Sequence, residues 1–396
     1  MRRAQDHSRG FVGGIVPVST LQAATPRKRV FAVAMQGAGG GEEARLIDLL
    51  SNFPTEVFPF DRKSKLRSSH ALLRAILRIR PELVVMEGTG LAGGLALLAA
   101  RLMAGIPYVV SSGDAVGPYV AGRRRLLGPM FHFYERFLCR LSAGFIGWTP
   151  YLTGRALTFG APHAMTAPGW APFPLSTEGQ VRARTKVRSQ VGISSNDVVF
   201  GIVGSLAWTK RVSYCYGLEL VRALSRTSRP DLKVLIVGDG AGRSHLERAA
   251  GKELGKRVLL TGQARREQVP HYLAAMDVAS LPQSVDQVGS FRYTTKISEY
   301  LAARLPIVTG RIPLAYDFGD EWLWRLPGNA PWDERYLDAL AQLMDRVTIS
   351  DLNSKRNAVP RAMAEFDRDK QISRVTSFVN DLLRDRNGHA SVSDCM

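Results

Sequence analysis

The sequence predicts an α/β protein of two doubly wound, Rossmann-like domains facing across a cleft. Three observations carry this. Short apolar runs alternate with helical segments along most of the 396 residues. Runs such as Leu83-Val84-Val85-Met86 are apolar throughout, which marks a parallel sheet covered on both faces. The alternation then restarts after a stretch with Pro162, Pro168, Pro172 and Pro174 beside Gly169 and Trp170, the composition of an extended connector.

Bulk properties narrow the function. A chain with 45% hydrophobic and 22% charged residues and a mean hydropathy of -0.07 is a globular protein able to bury large cores. Cys139, Cys215 and Cys395 are widely separated and odd in number, so they make neither a disulfide framework nor a metal spacing. No apolar run reaches the length of a membrane span. The net charge of +18 and pI near 10.2 are the strongest bulk signal. The first 175 residues hold 21 Lys and Arg against 10 Asp and Glu. Such a surface attracts nucleotides, nucleic acid or an acidic membrane. Zinc-finger spacing and aromatic RNA-binding signatures are absent, so nucleic acid is not an expected partner. Residues 1–27 begin basic but lack an unbroken apolar segment, and are expected to form a flexible arm rather than a signal peptide.

The first strand is Val30 to Met35. The glycine-rich turn Gln36 to Glu43 follows, with Gly40 and Gly41 at its centre, and then a helix over Ala44 to Leu50. Strand, glycine turn and helix open a doubly wound unit. The glycines let backbone approach a ligand or simply pack strand on helix. Their spacing is not the dinucleotide fingerprint. Helices over Leu66 to Ile79 and Leu91 to Met103 flank the strand Leu83 to Met86. Pro107 to Val110 is the next strand, ending at Ser111-Ser112-Gly113-Asp114. Ligands bind beyond the carboxyl ends of such strands, so Asp114 is a candidate catalytic carboxylate; a loop Asp capping the next segment reads the same way. Arg123, Arg124, Arg125, Arg136 and Arg140 interleave with Phe131, Phe133 and Phe137. This pattern suits a helix lying on an anionic bilayer and equally a core helix with a solvated face. Ala143 to Trp148 is a strand, and Thr149-Pro150 starts a helix.

After a basic helix over Gly179 to Gln190, the second half begins with the strand Asp197 to Gly204. Its loop carries Ser205, Lys210 and Arg211. The strand Leu232 to Val237 ends in Gly238-Asp239-Gly240. Strands at Val258 to Gly262, Asp277 to Pro282 and Pro306 to Val308 follow, with helices over Arg243 to Glu253, Glu267 to Ala275 and Trp332 to Val347. Arg361 to Arg384 is an amphipathic helical segment. Gly289 to Val308 reads as a polar loop with Ser290, a short helix opened by Thr294, Thr295 and Lys296, and a strand. A helix N-terminus with hydroxyls and a lysine suits phosphate, and Glu299, one turn on, could accept from a ribose diol. An ordinary capped helix fits the same residues.

The order Val237-Gly238-Asp239-Gly240, Leu246-Glu247, Val258 to Gly262, Val269 to Val278 and Lys296-Ile297-Ser298-Glu299-Tyr300-Leu301-Ala302 resembles the C-terminal domain of GT-B glycosyltransferases, in particular the retaining group called family 4. The resemblance covers residues 197–310 well and 29–160 more weakly. It implies a division into an arm (1–27), an acceptor-side domain (28–165), a connector (166–196), a nucleotide-sugar domain (197–350), helices returning to the first domain (351–386) and a tail (387–396). By position, Lys210 and Arg211 match the family's diphosphate lysine, with Lys210 placed to assist the leaving group. Ser205 stands where a basic residue is usual. Glu299 matches the ribose glutamate, Thr295 and Lys296 the phosphate loop, and Gly40 and Gly41 the glycine loop facing the diphosphate. Two departures stand out. Phe291 occupies the place of a sugar-reading glutamate, and Gly113-Asp114 the place of a His-Asp pair.

The implied function is transfer of a sugar from a nucleoside diphosphate sugar to an acceptor hydroxyl, with retention, with no metal and no other cofactor. The expected partners are the donor, a glycan or lipid-linked acceptor and an anionic membrane surface, at a cytoplasmic site peripheral to the inner membrane face. An epimerase of the same fold, or a nucleotide-sugar-binding subunit without catalysis, are the alternatives.

Overall fold

The computed structural model describes residues 30–292, 296–361 and 363–393. The expected arm over 1–27 and the site candidates Thr294 and Thr295 lie outside them. The first sheet contains β1 (Val30–Ala34), β2 (Thr55–Phe58), β3 (Leu83–Glu87), β4 (Tyr108–Ser112), β5 (Gly144–Gly147) and β6 (Ala164–Thr166) in the order β2-β1-β3-β4-β5-β6. The second contains β7 (Val198–Val203), β8 (Leu232–Val237), β9 (Val258–Gly262), β10 (Val278–Leu281), β11 (Ile307–Thr309) and β12 (Leu323–Arg325) in the order β12-β11-β10-β7-β8-β9. All pairings are parallel. These are the two doubly wound units expected from the sequence. Strand order reverses between β1 and β3 and again between β7 and β10, and each reversal opens a crevice at the carboxyl ends of the strands.

Three edge strands, β2, β6 and β12, were not expected. They are three or four residues long and mostly half-buried. An edge strand covered on fewer sides needs no continuous apolar run, which removes the sequence signal. The helix Ile349–Ala358 overlaps the helices expected over 351–386, but its bounds had no local signal, because Leu352 is its sole buried residue. The final helix starts at Arg368 rather than Arg361.

The first sheet is covered on both faces. Phe31, Val33, Val84 and Met86 face the helices Lys65–Ile79, Leu91–Ala104 and Gly128–Arg140 through Leu72, Ile76, Leu97 and Leu138. The i, i+4 spacing of Leu72 and Ile76 is what places both on one helical face. On the other side, Val30, Ala32 and Val85 meet Leu46 and Leu49, and also Val375, Val379 and Leu383 of the final helix. Each such buried aliphatic side chain contributes about 1.5–3 kcal/mol. The chain's end is thereby fastened to its first domain. Gly144 leaves room for Phe378, whose ring would lie 2.7 Å from a Cβ there.

The helix Thr177–Val191 is bound to the second domain by charge. Asp277 accepts from Arg188 at 2.6 Å, from Arg184 at 2.6 Å and from the Val199 amide at 2.9 Å. Arg188 and Asp277 are both buried. Removing the carboxylate would leave an arginine buried without its counter-charge. Asp277→Ala is therefore expected to destabilise the second domain by about 3–5 kcal/mol, read as a lower midpoint in urea unfolding.

Candidate active site

The two domains meet at the carboxyl ends of their sheets, where cavities of about 820 Å³ and 740 Å³ share Gln36, Glu42, Trp148 and Arg292 as a common wall. The 820 Å³ cavity runs between domains. The 740 Å³ cavity lies mainly in the first domain, beneath Phe60, Thr89 and Asp114.

On the second domain, β7 and β8 end in glycine loops that press together. The Gly204 amide donates to Val237 O at 2.9 Å, and the Leu206 amide to Asp239 O at 3.0 Å. A Cβ on Gly238 would collide with the Gly204 carbonyl oxygen, so the sequence needs glycine there for close approach rather than flexibility. With Ser205, Asp239 and Gln263, these loops line a further cavity of about 560 Å³. Ser205 and Gly238 are thus brought together as expected of neighbouring strand ends.

Lys296 opens the helix Lys296–Ala302 and reaches the same loops. Its Cε would lie 2.9 Å from a Cβ on Gly204, and its ammonium sits 4.5 Å over the Tyr216 ring. The Tyr216 hydroxyl accepts from Gln283 at 3.1 Å. Burial alone would raise this phenol's pKa; Lys296 and then Arg292 outweigh it and hold it below the ordinary tyrosine value. The segment carrying Tyr216 is itself fixed from below. The buried Glu219 carboxylate accepts from Tyr214 at 2.8 Å, the Gly217 amide at 3.0 Å and Ser280 at 2.8 Å.

Glu299 lies one turn beyond Lys296 and lines a narrow cleft with Arg266 and Pro172 to Leu175. Burial raises its carboxyl pKa, against the lowering pull of Lys296 and Arg266. No hydrogen bond reaches its carboxylate from the described side chains. Arg266, which the sequence reading passed over, bridges to the first domain's glycine loop: its Nη1 would lie 3.0 Å from a Cβ on Gly41. In that loop Gly37 and Gly39 have φ of 92° and 76°, conformations that side chains disfavour. Gly40 caps the helix Gly41–Leu49 without a side-chain bond. The start of that helix, Arg266 and Lys296 therefore face one volume.

Other expected residues fall elsewhere. Lys210 is exposed on a turn and lines none of these cavities, while Arg211 crosses the cleft to donate to Gly122 O at 2.7 Å. Ser290 sits in a turn organised by Asp286, its amide donating to Asp286 O at 3.0 Å. Asp114 faces the first-domain cavity and accepts from Arg292 Nε at 2.7 Å. Burial acts to lower the Arg292 pKa, but Asp114 outweighs it and keeps the guanidinium charged.

Both departures have a physical reason. A Cβ on Gly113 would stand 2.7 Å from the Trp148 ring, so the room a histidine would need is filled by tryptophan. Phe291 does not point at a donor. It packs against the first domain's core, lies under Arg155 at 5.4 Å, and its carbonyl accepts from Thr149 at 3.0 Å.

Comparison with known proteins agrees with this two-domain architecture. Residues 197–346 match the family described as glycosyl transferases group 1, and residues 18–168 match the glycosyl transferase 4-like domain. The chain is a group 1 glycosyltransferase. No curated protein matches it in sequence. Among solved structures, HepE from Anabaena, in complex with UDP and glucose, aligns at a TM-score of 0.64 with 16% identity, covering 89% of this glycosyltransferase and 99% of that chain. Sucrose-phosphate synthase from Thermosynechococcus elongatus aligns at 0.63 with 14% identity, covering 90% and 99%. A UDP-forming α,α-trehalose-phosphate synthase from Burkholderia xenovorans aligns at 0.61 with 14% identity, covering 89% and 99%. These similarities establish the GT-B fold.

The glycine contact between strand loops gives a direct check of the site's construction. Gly238→Ala forces backbone apart at the cleft floor. It is expected to lower the Tm of the glycosyltransferase by about 5 °C or more in a thermal melt.

Proposed function

We propose that this glycosyltransferase moves a sugar from a nucleoside diphosphate sugar to an acceptor hydroxyl, with retention and without a metal. One observation carries the donor assignment: Lys296, Arg266 and the helix start at Gly41 converge on one volume, with the unbonded Glu299 carboxylate beside it. As the anomeric carbon–oxygen bond breaks, negative charge grows on the diphosphate, and cations and backbone N–H groups aimed at it lower the barrier. We assign this role to Lys296 and Arg266, with Arg292 close by. Lys210 would join them only if its exposed turn moved. Glu299 holds the ribose, and Ser205 and Gly238 bound the nucleoside. Asp114 sits at the acceptor cavity, tied to Arg292. Retention rests on the resemblance to the retaining family.

The acceptor is proposed to be lipid-linked and met at an anionic membrane surface on the cytoplasmic side. No helix among the described residues is long and apolar enough to cross a membrane. The first domain instead exposes large apolar side chains on the helices covering one face of its sheet. Leu66 is 88% and Leu126 95% exposed, and Leu95, Met130, Phe133 and Phe137 are exposed with them. Leu66, Leu91 and Leu95 line the mouth of the 740 Å³ cavity beside Arg62 and Lys65. Apolar side chains among cations are the composition that binds anionic lipid surfaces.

Two measurements test these assignments. By calorimetry with UDP, the nucleotide in the HepE complex, and with other nucleoside diphosphates, Lys296→Ala is expected to weaken binding about tenfold or more. Glu299→Ala should weaken nucleoside diphosphates comparably but leave inorganic pyrophosphate unaffected, since only the former carry a ribose. Equal loss for both ligands would remove the ribose role. For the membrane, flotation with phosphatidylserine vesicles at low salt should carry the wild type upward and leave Phe133→Asp/Phe137→Asp behind. No flotation of the wild type would favour a soluble acidic acceptor.

A further inference from the structure

We propose that Glu42 accepts the proton of the acceptor hydroxyl, from the wall that separates the donor cleft from the first domain's cavity. The proposal rests on the transferase reading above and adds to it the group that activates the acceptor.

Glu42 is the second residue of the helix Gly41–Leu49 and lines both the 820 Å³ and the 740 Å³ cavities. A hydroxyl entering from the first domain and an anomeric carbon held by the second would meet at that shared wall. The neighbouring carboxylates of the first domain are already engaged. Glu87 accepts from Arg45 at 2.6 Å and from Trp148 at 3.0 Å. Asp114 accepts from Arg292 at 2.7 Å and Glu43 from the Gly39 amide at 2.6 Å. Glu42 differs: its Oε2 is enclosed and has no hydrogen-bond partner among the described residues, while the residue as a whole is only half-buried. Beside it lies Gly88 at the end of β3, where a Cβ would come within 3.9 Å of Oε2. A buried acceptor oxygen without a donor is costly, and it is tolerated at sites where a substrate supplies the donor.

Electrostatics agrees with the geometry. Burial, then the charges of Glu87 and Asp114, raise the Glu42 carboxyl to about 7, against the opposing pull of Arg62 and Arg45. Lys65, Arg266, Arg292, Lys296, Asp48 and Arg368 also line the two cavities that Glu42 borders. A general base works best with a pKa near the operating pH. The carboxyl is protonated below about 7 and ionised above it, so a base role makes the rate rise with pH through that value.

The step balances. The acceptor oxygen forms its bond to the anomeric carbon on the face from which the diphosphate departs, so configuration is retained. The bond from that carbon to the diphosphate oxygen breaks, and its electron pair stays on the diphosphate. The hydroxyl proton passes to the Glu42 carboxylate, which returns it to water as product leaves.

The test uses the full-length protein, a panel of nucleotide sugars as donors and water as acceptor, with nucleoside diphosphate release followed from pH 5 to 9. Wild type is expected to show a rate that rises through pH about 7. Glu42→Gln keeps the shape but cannot take a proton. It is expected to bind UDP within twofold of wild type, to lose about 100-fold or more in kcat, and to lose the inflection. Retention of kcat within threefold, or of the inflection with reduced kcat, would overturn the proposal. So would a parallel tenfold loss of UDP affinity, which marks a structural role. If wild type binds nucleoside diphosphates yet releases none from any donor, the transferase reading fails, and this proposal with it.

Discussion

The buried ion pair between Arg45 and Glu87 is the constraint on which the cleft depends. Arg45 donates to Glu87 at 2.6 Å, to Ser111 at 3.2 Å and to Ala167 O at 2.5 Å, and stacks on Trp148 at 4.5 Å. These contacts join the glycine-loop helix, β3, β4, the residue after β5 and the start of the connector. Burying two charges is unfavourable unless their remaining hydrogen-bonding groups are satisfied. Here Trp148 donates to Glu87, and Ser111 and Ala167 O accept from Arg45. Trp148, held by Glu87, fills the volume beside Gly113, so a larger side chain has no room at that position. The charge of Glu87 also acts on Glu42 nearby. One structural pair thus shapes the first domain's cavity twice, through sterics and through field.

The second domain is brought to this floor by the loop before Lys296. Asp286 accepts from the Val288 and Gly289 amides, each at 2.8 Å, and from Ser284 at 2.8 Å. That turn presents Phe291 to the first domain's core and Arg292 to Asp114. Together with Arg211 on Gly122 O, it joins the two domains across the cleft. An apolar anchor plus a half-exposed ion pair is a contact of modest strength, as a cleft that must admit and release substrate requires.

Much of the fold was legible because buried parallel strands are apolar runs and glycine turns punctuate them. The sequence reading located β1, β3, β4, β5, β7, β8, β9, β10 and β11. Short edge strands such as β6 escaped because a half-buried strand of three residues carries no periodicity. Site residues divided along similar lines. Gly238 and Lys296 were legible from local motif order, and the structure sets both against Gly204. The pairing of Arg292 with Asp114, the reach of Arg266 to Gly41 and the isolation of Glu42 were not. Each depends on contacts between segments distant in the chain, which no local pattern encodes. The same holds for Phe291, whose meaning changed from a missing carboxylate to an interdomain anchor once its neighbours were known. Lys210, placed by motif position, is exposed because its turn points away from the cavities.

The account's central claim is that the interdomain cleft is a nucleotide-sugar site with a fixed polarity. The most direct measurement is a crystal structure of the protein with a bound nucleoside diphosphate. The account predicts the diphosphate among Lys296, Arg266 and the amides at Gly41, and the ribose hydroxyls on Glu299. A nucleotide bound outside this cleft, or with its ribose away from Glu299 and its phosphates turned from Lys296, would contradict it.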